Sequence, residues 1–230
     1  MTQPITAPGR RSAIAATARA ALVIALLGVA VTLFAAATRG PHQADPPPAP
    51  HDTAQPMPVS AATPLDRSAP TRLEIPAVGV DTAPWRSGTT ATGSLAAPAD
   101  FQHASWFEQG AAPGERGGAV ILGHVDSTGG PAVFFRLGEL TAGDEVRVTR
   151  QDGSVAMFVV VRTEAVDKDR FPADRLFADD GTAHLYLITC GGAFDSARRR
   201  YLSNVIVTTT LVDAVAAKDS GRSTPEALTR

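Results

Sequence analysis

The sequence predicts an all-β domain, a closed or nearly closed barrel, on three observations. Short apolar runs rich in Val, Leu and Ile recur between residues 71 and 212. Gly, Pro and Asp-Gly steps separate them, and only two short stretches suit a helix. Aromatic residues make up 6% of the chain, so the core must come mainly from aliphatic side chains, and the Val-rich stretches favour strands.

Taken in order, Arg72-Leu73-Glu74-Ile75-Pro76 alternates polar and apolar residues and reads as an edge strand ended by Pro76. Gly118 to Gly123 is an apolar run between glycines, which suits a buried strand. Asp144 to Arg150 alternates around Val146 and Val148. Asp152-Gly153 is a turn signal, and the strand Val155 to Arg162 follows it, so the pair reads as a hairpin. His184 to Thr189 and Asn204 to Val212 are the last two strands. Short helices are expected near Phe134–Leu140 and Pro172–Phe177.

Outside this region the composition changes. Residues 20–38 carry no charge, with Arg10, Arg11 and Arg19 before them and Arg39 after. A run of about 20 apolar residues suffices to span a bilayer, and the preceding arginines place residues 1–19 in the cytoplasm. A cleaved secretory signal ending at Ala35-Ala36-Ala37 is the competing reading. Both put the remainder outside the cytoplasm, and the anchored form is a single-pass protein of the cell membrane. Residues 39–70 hold nine of the chain's 18 prolines and few large apolar groups, which predicts an extended, disordered linker. Residues 213–230 form a polar tail.

Charge and cysteine count narrow the function. The net charge is −2 and the only basic cluster is Arg198-Arg199-Arg200, so nothing supports nucleic-acid binding. A single cysteine rules out a disulfide within the chain and a cysteine-built zinc site. Cys190 stands after a strand and before Gly191-Gly192, where a rigid strand end and permissive backbone present the sulfur. A buried, inert thiol is the alternative at this point. His124 also follows a strand, in Gly123-His124-Val125-Asp126-Ser127. Cys190 and His124 together supply the nucleophile and acid/base pair of covalent catalysis. Arg198, Arg199 and Arg200 precede the last strand, and if that strand neighbours the one ending at Cys190, one arginine returns to the sulfur and can bind an oxyanion.

These residues resemble the sortase family. Leu187-Ile188-Thr189-Cys190 is similar to its nucleophile signature, and Gly123-His124 to the strand end bearing its histidine. Pro98-Ala99-Asp100-Phe101, Ala104 to Gly110, Pro113-Gly114-Glu115, Gly130 to Phe134 and Thr189 to Asp195 resemble the class F sortases of actinobacteria. The similarity runs from about Arg72 to Val212. It implies an eight-stranded β-barrel over residues 71–212, no cofactor and no metal. It implies a thiol transpeptidase that cleaves a Leu-Pro-x-Thr-Gly-like sorting peptide of a secreted protein through a thioacyl on Cys190. The acyl group would pass to an amine acceptor such as cell-wall peptidoglycan. Thr189 would help orient substrate, and Asn204 would offer it a hydrogen bond. Where many class F relatives carry an arginine after the final-strand tyrosine, this chain has Leu202, which moves the expected arginine to Arg200 or Arg199. A cysteine peptidase releasing to water and a noncatalytic wall-binding β-domain remain open.

Overall fold

In the computed structural model, residues 46–50, 59–91 and 93–216 are described. The proposed membrane segment 20–38, residues 1–19 and the tail beyond 216 lie outside them. No helix among the described residues is long and apolar enough to cross a membrane.

Eleven strands occur in the order β1 (Pro70–Ile75), β2 (Val80–Thr82), β3 (Trp85–Ser87), β4 (Ser105–Phe107), β5 (Gly117–Leu122), β6 (Asp126–Ser127), β7 (Gly130–Pro131), β8 (Glu145–Arg150), β9 (Val155–Asp167), β10 (Ala183–Asp195) and β11 (Arg200–Val215). One short helix, α1 (Ala173–Leu176), and 3-10 turns at Pro76–Val78, Leu137–Glu139 and Lys168–Arg170 complete the described elements. Two of these fall in the stretches expected to be helical.

Nine strands form one sheet in the order β2-β1-β8-β9-β11-β10-β5-β4-β3, and β6 and β7 form a separate ribbon. The two edge strands, β2 and β3, are separated in sequence only by Ala83 and Pro84. At about 4.8 Å per strand, a flat sheet would hold those edges roughly 38 Å apart. The connection spans at most about 11 Å. The sheet must therefore curl until its edges nearly meet, as the sequence predicts. The sheet holds nine strands where the resemblance implied eight, and β2, β3 and β4, three residues each, show no readable alternation in the sequence. The expected edge position of β1 is also corrected. Pro76 opens a 3-10 turn that Gly79 closes at φ 71°, and the chain returns as β2 to cover the outer side of β1.

Alternation along the strands divides the apolar residues between two faces. The concave face carries the main core, where Leu73, Val148, Phe158, Leu185, Leu187 and Val207 are fully buried. On the convex face a smaller cluster joins Phe107, Val120, Tyr186, Ile188 and Ile206 to Leu176 of α1.

Residues 59–70 do not behave as the linker that composition suggested. Ala62 N–H donates to the Leu211 carbonyl at 2.8 Å, and Leu65 N–H to that of Gly114 at 2.8 Å. Arg67 reaches the Glu108 and Gly110 carbonyls and the Glu115 carboxylate. Arg150, only 3% exposed, donates to the Asp66 carbonyl and to Ser154. The polar backbone of this segment is hydrogen-bonded to the barrel, which is what composition alone cannot reveal.

Candidate active site

The site forms where the convex face runs out past the second apolar cluster. β5 and β10 are parallel neighbours, with Leu122 opposite Ile188. Gly123 N–H still donates to the Ile188 carbonyl at 3.1 Å. Two residues on from this last pair stand His124 and Cys190. The two-residue period of β10 points the Cys190 side chain to the face that holds Tyr186 and Ile188, and His124 stands just past the end of the neighbouring strand. Both are half-buried.

Beyond Gly123 the chain turns away from β10, and the His124 carbonyl accepts from Phe134 N–H at 3.0 Å. A Cβ at Gly123 would collide with the Phe134 ring, so glycine permits this close departure. β10, in contrast, does not end before the cysteine as expected. It continues through Cys190 to Asp195 across a bulge: Gly191 faces Ser203 and Phe194 faces Tyr201, so β10 holds one more residue than β11 there. Gly192 takes φ 74°, and a Cβ on it would lie 2.8 Å from Ser203 Oγ.

Across the sheet, Asn204 of β11 is directly opposite Cys190, and Val166 of β9 is opposite Asn204. Lys168, two residues after Val166, starts the 3-10 turn that follows β9. Its Nζ lies 3.4 Å from Cys190 Sγ. His124 Nε2 is 2.8 Å from the Pro98 carbonyl oxygen. That oxygen can only accept, so the proton of the neutral ring sits on Nε2 and the lone pair on Nδ1. The Phe101 ring packs on the imidazole at 4.6 Å between centroids.

The Tyr201 hydroxyl donates to Asp126 Oδ2 at 2.5 Å. Burial, first, and then the Asp126 hydrogen bond and charge push the Tyr201 hydroxyl well above the usual phenol range, with Cys190 adding to the effect. Tyr201 is thus a protonated donor at the edge of the site.

The predicted residues separate into two groups. Cys190 and Asn204 are directly opposite each other, and His124 follows the end of the strand that neighbours β10. Thr189 is 4% exposed and alternates to the core side, and its hydroxyl has no hydrogen-bond partner among the described residues. The arginines lie at the tip of the β10–β11 hairpin. Arg198 pairs with Asp195 at 2.8 Å, and Arg199 occupies the turn at φ 51°. Arg200 faces Asp195 in the ladder, four residues and about 13 Å along the strand from Asn204. It lines a cavity of about 530 Å³ with Asp167, Lys168, Asp169, Tyr201 and Leu202. The cation in contact with the sulfur is a lysine, where the sequence pointed to an arginine. Lys168 carries no motif, and its approach is made across β11. Pro98 lay within a segment that carried the resemblance and Asp126 stands two residues after His124, but their contacts, and that of Tyr201, were not readable in the sequence.

A thiol with a cation on its sulfur, on a curled β-sheet with a histidine at the neighbouring strand end, is an arrangement that suits cysteine chemistry. The sortase domain family matches residues 73–212, more than half of the chain, and the chain belongs to that family of cysteine transpeptidases. Among solved structures, it is similar to sortase A from Listeria monocytogenes at 17% identity and TM-score 0.48, covering 67% of this chain and 93% of that one. A lid mutant of sortase A from Corynebacterium diphtheriae gives 20% and 0.49, covering 65% and 73%. Sortase C1 from Streptococcus agalactiae gives 17% and 0.49, covering 62% and 67%. Values this low add nothing to the family match. No curated protein matches the chain.

Proposed function

We propose that the chain is a class F sortase in which Cys190 is the nucleophile and His124 the acid/base. The observation that supports this best is the parallel register of β5 and β10, in which Leu122 pairs with Ile188, each two residues before His124 and Cys190 respectively. The Cys190 thiolate attacks the carbonyl carbon before the final glycine of a Leu-Pro-x-Thr-Gly-like sorting peptide. The carbonyl becomes an oxyanion, then re-forms as the C–N bond breaks, and His124 protonates the departing amine. An incoming amine, such as one on cell-wall peptidoglycan, loses its proton to His124, attacks the thioester and releases the thiolate. Asn204 is placed to hydrogen-bond the bound peptide. Of the three arginines, Arg200 fits best as a donor to the oxyanion, because it shares a cavity wall with Lys168 and Tyr201. Thr189 supports the strand from the core side and orients substrate only through it. Residues 20–38 anchor the chain in the cell membrane with the barrel extracytoplasmic.

The test is to incubate the wild-type chain and Cys190→Ala with candidate sorting peptides, with and without an added amine. Wild type should form a thioacyl adduct, visible by mass, and transfer it to the amine. Cys190→Ala should do neither while keeping its circular dichroism. Turnover by Cys190→Ala refutes the covalent mechanism, and release to water alone marks a peptidase.

A further inference from the structure

We propose that Lys168 holds Cys190 as a thiolate in the free protein, before any substrate arrives; the role in catalysis rests on Cys190 being the nucleophile. An ammonium group has only N–H bonds to offer, so at 3.4 Å its partner must be a sulfur lone pair. A thiolate accepts that bond far better than a thiol. Ionisation sends the Sγ proton to solvent, and the ammonium, already fully protonated, stabilises the negative sulfur left behind.

The surroundings hold this lysine in place. It is half-buried, it begins a 3-10 turn, and Asp167 and Asp169 flank it on the wall of the same cavity. Asp167 is itself fixed by a hydrogen bond from Ser203 at 3.1 Å. Charged and titratable groups reach the sulfur's neighbourhood from every strand around it. His124 comes from the end of β5, Tyr201 and Arg200 from β11, and Asp126 from β6 through its bond to Tyr201. The carboxylates oppose a negative sulfur, and Tyr201 stays neutral. Among the described residues, Lys168 is the cation with a recorded contact to Sγ. This duty differs from that of Arg200, which is matched to charge that develops on the carbonyl oxygen only after attack.

Because the chain has one cysteine, alkylation reports on Cys190 alone. The rate of modification by iodoacetamide, followed by mass from mildly acidic to alkaline pH, should be compared for wild type, Lys168→Met and Lys168→Arg. Loss of a cation in contact should raise the midpoint by about one pH unit, so neutral-pH alkylation slows about tenfold. Lys168→Arg should recover most of it. The kcat/KM of Lys168→Met should fall at neutral pH in step with the slowed alkylation. A comparison of two reagents on wild type needs no variant: relative to a small free thiol, Cys190 should prefer anionic iodoacetate over neutral iodoacetamide. An unchanged alkylation profile in Lys168→Met, or no such preference in wild type, overturns the proposal. Lost activity with an unchanged profile would assign Lys168 to substrate instead. Turnover by Cys190→Ala would sink the functional reading and leave the alkylation result standing.

Discussion

The Tyr201 hydroxyl donates a 2.5 Å hydrogen bond to Asp126 Oδ2, joining the loop that carries His124 to the strand that backs Cys190. Asp126 is two residues beyond His124, and Tyr201 is three before Asn204, the cross-strand partner of the cysteine. The sheet alone cannot fix the imidazole, because β5 has already left β10 at Gly123. Tyr201→Phe and Asp126→Ala should each lower kcat/KM about tenfold. The double variant should be no worse than either, since both remove one bond. Initial rates on a cleavable peptide test this, and additive losses would mean that the residues act separately.

The chain's two tyrosines give a spectroscopic prediction. Tyr186 is pushed up chiefly by burial, and Tyr201 by burial and Asp126. For groups raised in the folded state, the stabilisation is complete below the unfolded phenol value near pH 10. It is lost as pH rises from there through the folded values. Ultraviolet titration should therefore show little phenolate near pH 10 in the native protein, and its sudden appearance on alkaline unfolding. A normal titration of either tyrosine would contradict the burial.

The segment 59–70 should contribute to stability. A chain beginning at residue 71 loses the Arg67 contacts and leaves the buried Arg150 without the Asp66 carbonyl. An unpartnered buried donor costs about 1–3 kcal/mol. Urea unfolding should place the midpoint of this chain clearly below that of one beginning at residue 59. Equal midpoints would show that the segment merely rests on the surface.

The arginine cluster should divide unevenly. Arg200→Ala should reduce kcat/KM by tenfold or more, whereas Arg198→Ala and Arg199→Ala should stay within about twofold. Steady-state kinetics on the three variants decide it, and three equal effects would place the oxyanion donor elsewhere.

The uneven legibility of the sequence has physical causes. β5, the β8–β9 hairpin and β10 could be read because runs of six or more residues display their period. β2 to β4 and the β6–β7 ribbon are two or three residues long and display none. Pro76 suggested an edge for β1, but a tight turn folds β2 back over it. Cys190, His124 and Asn204 drew attention because strand ends and local motifs mark them. Lys168 could not, because it reaches Cys190 across a third strand, and such proximity leaves no trace in local sequence. The arginines were harder to place for a related reason: the bulge and the hairpin tip set the Arg200 backbone farther along the strand than Asn204, so its approach to the site is through the cavity wall it shares with Lys168.

The pairing of β5 with β10 joins segments some sixty residues apart, with the β8–β9 hairpin formed between them. Until that long closure is made, His124 is not held at the end of a strand neighbouring β10 and the acid/base half of the proposed pair is missing. Chemical competence is consequently among the last properties the polypeptide acquires, and a stalled or misassembled copy cannot acylate itself or its neighbours. Thioacyl formation on a sorting peptide, which needs both groups, would then serve as a readout of completed assembly, sorting native molecules from compact but wrongly threaded ones.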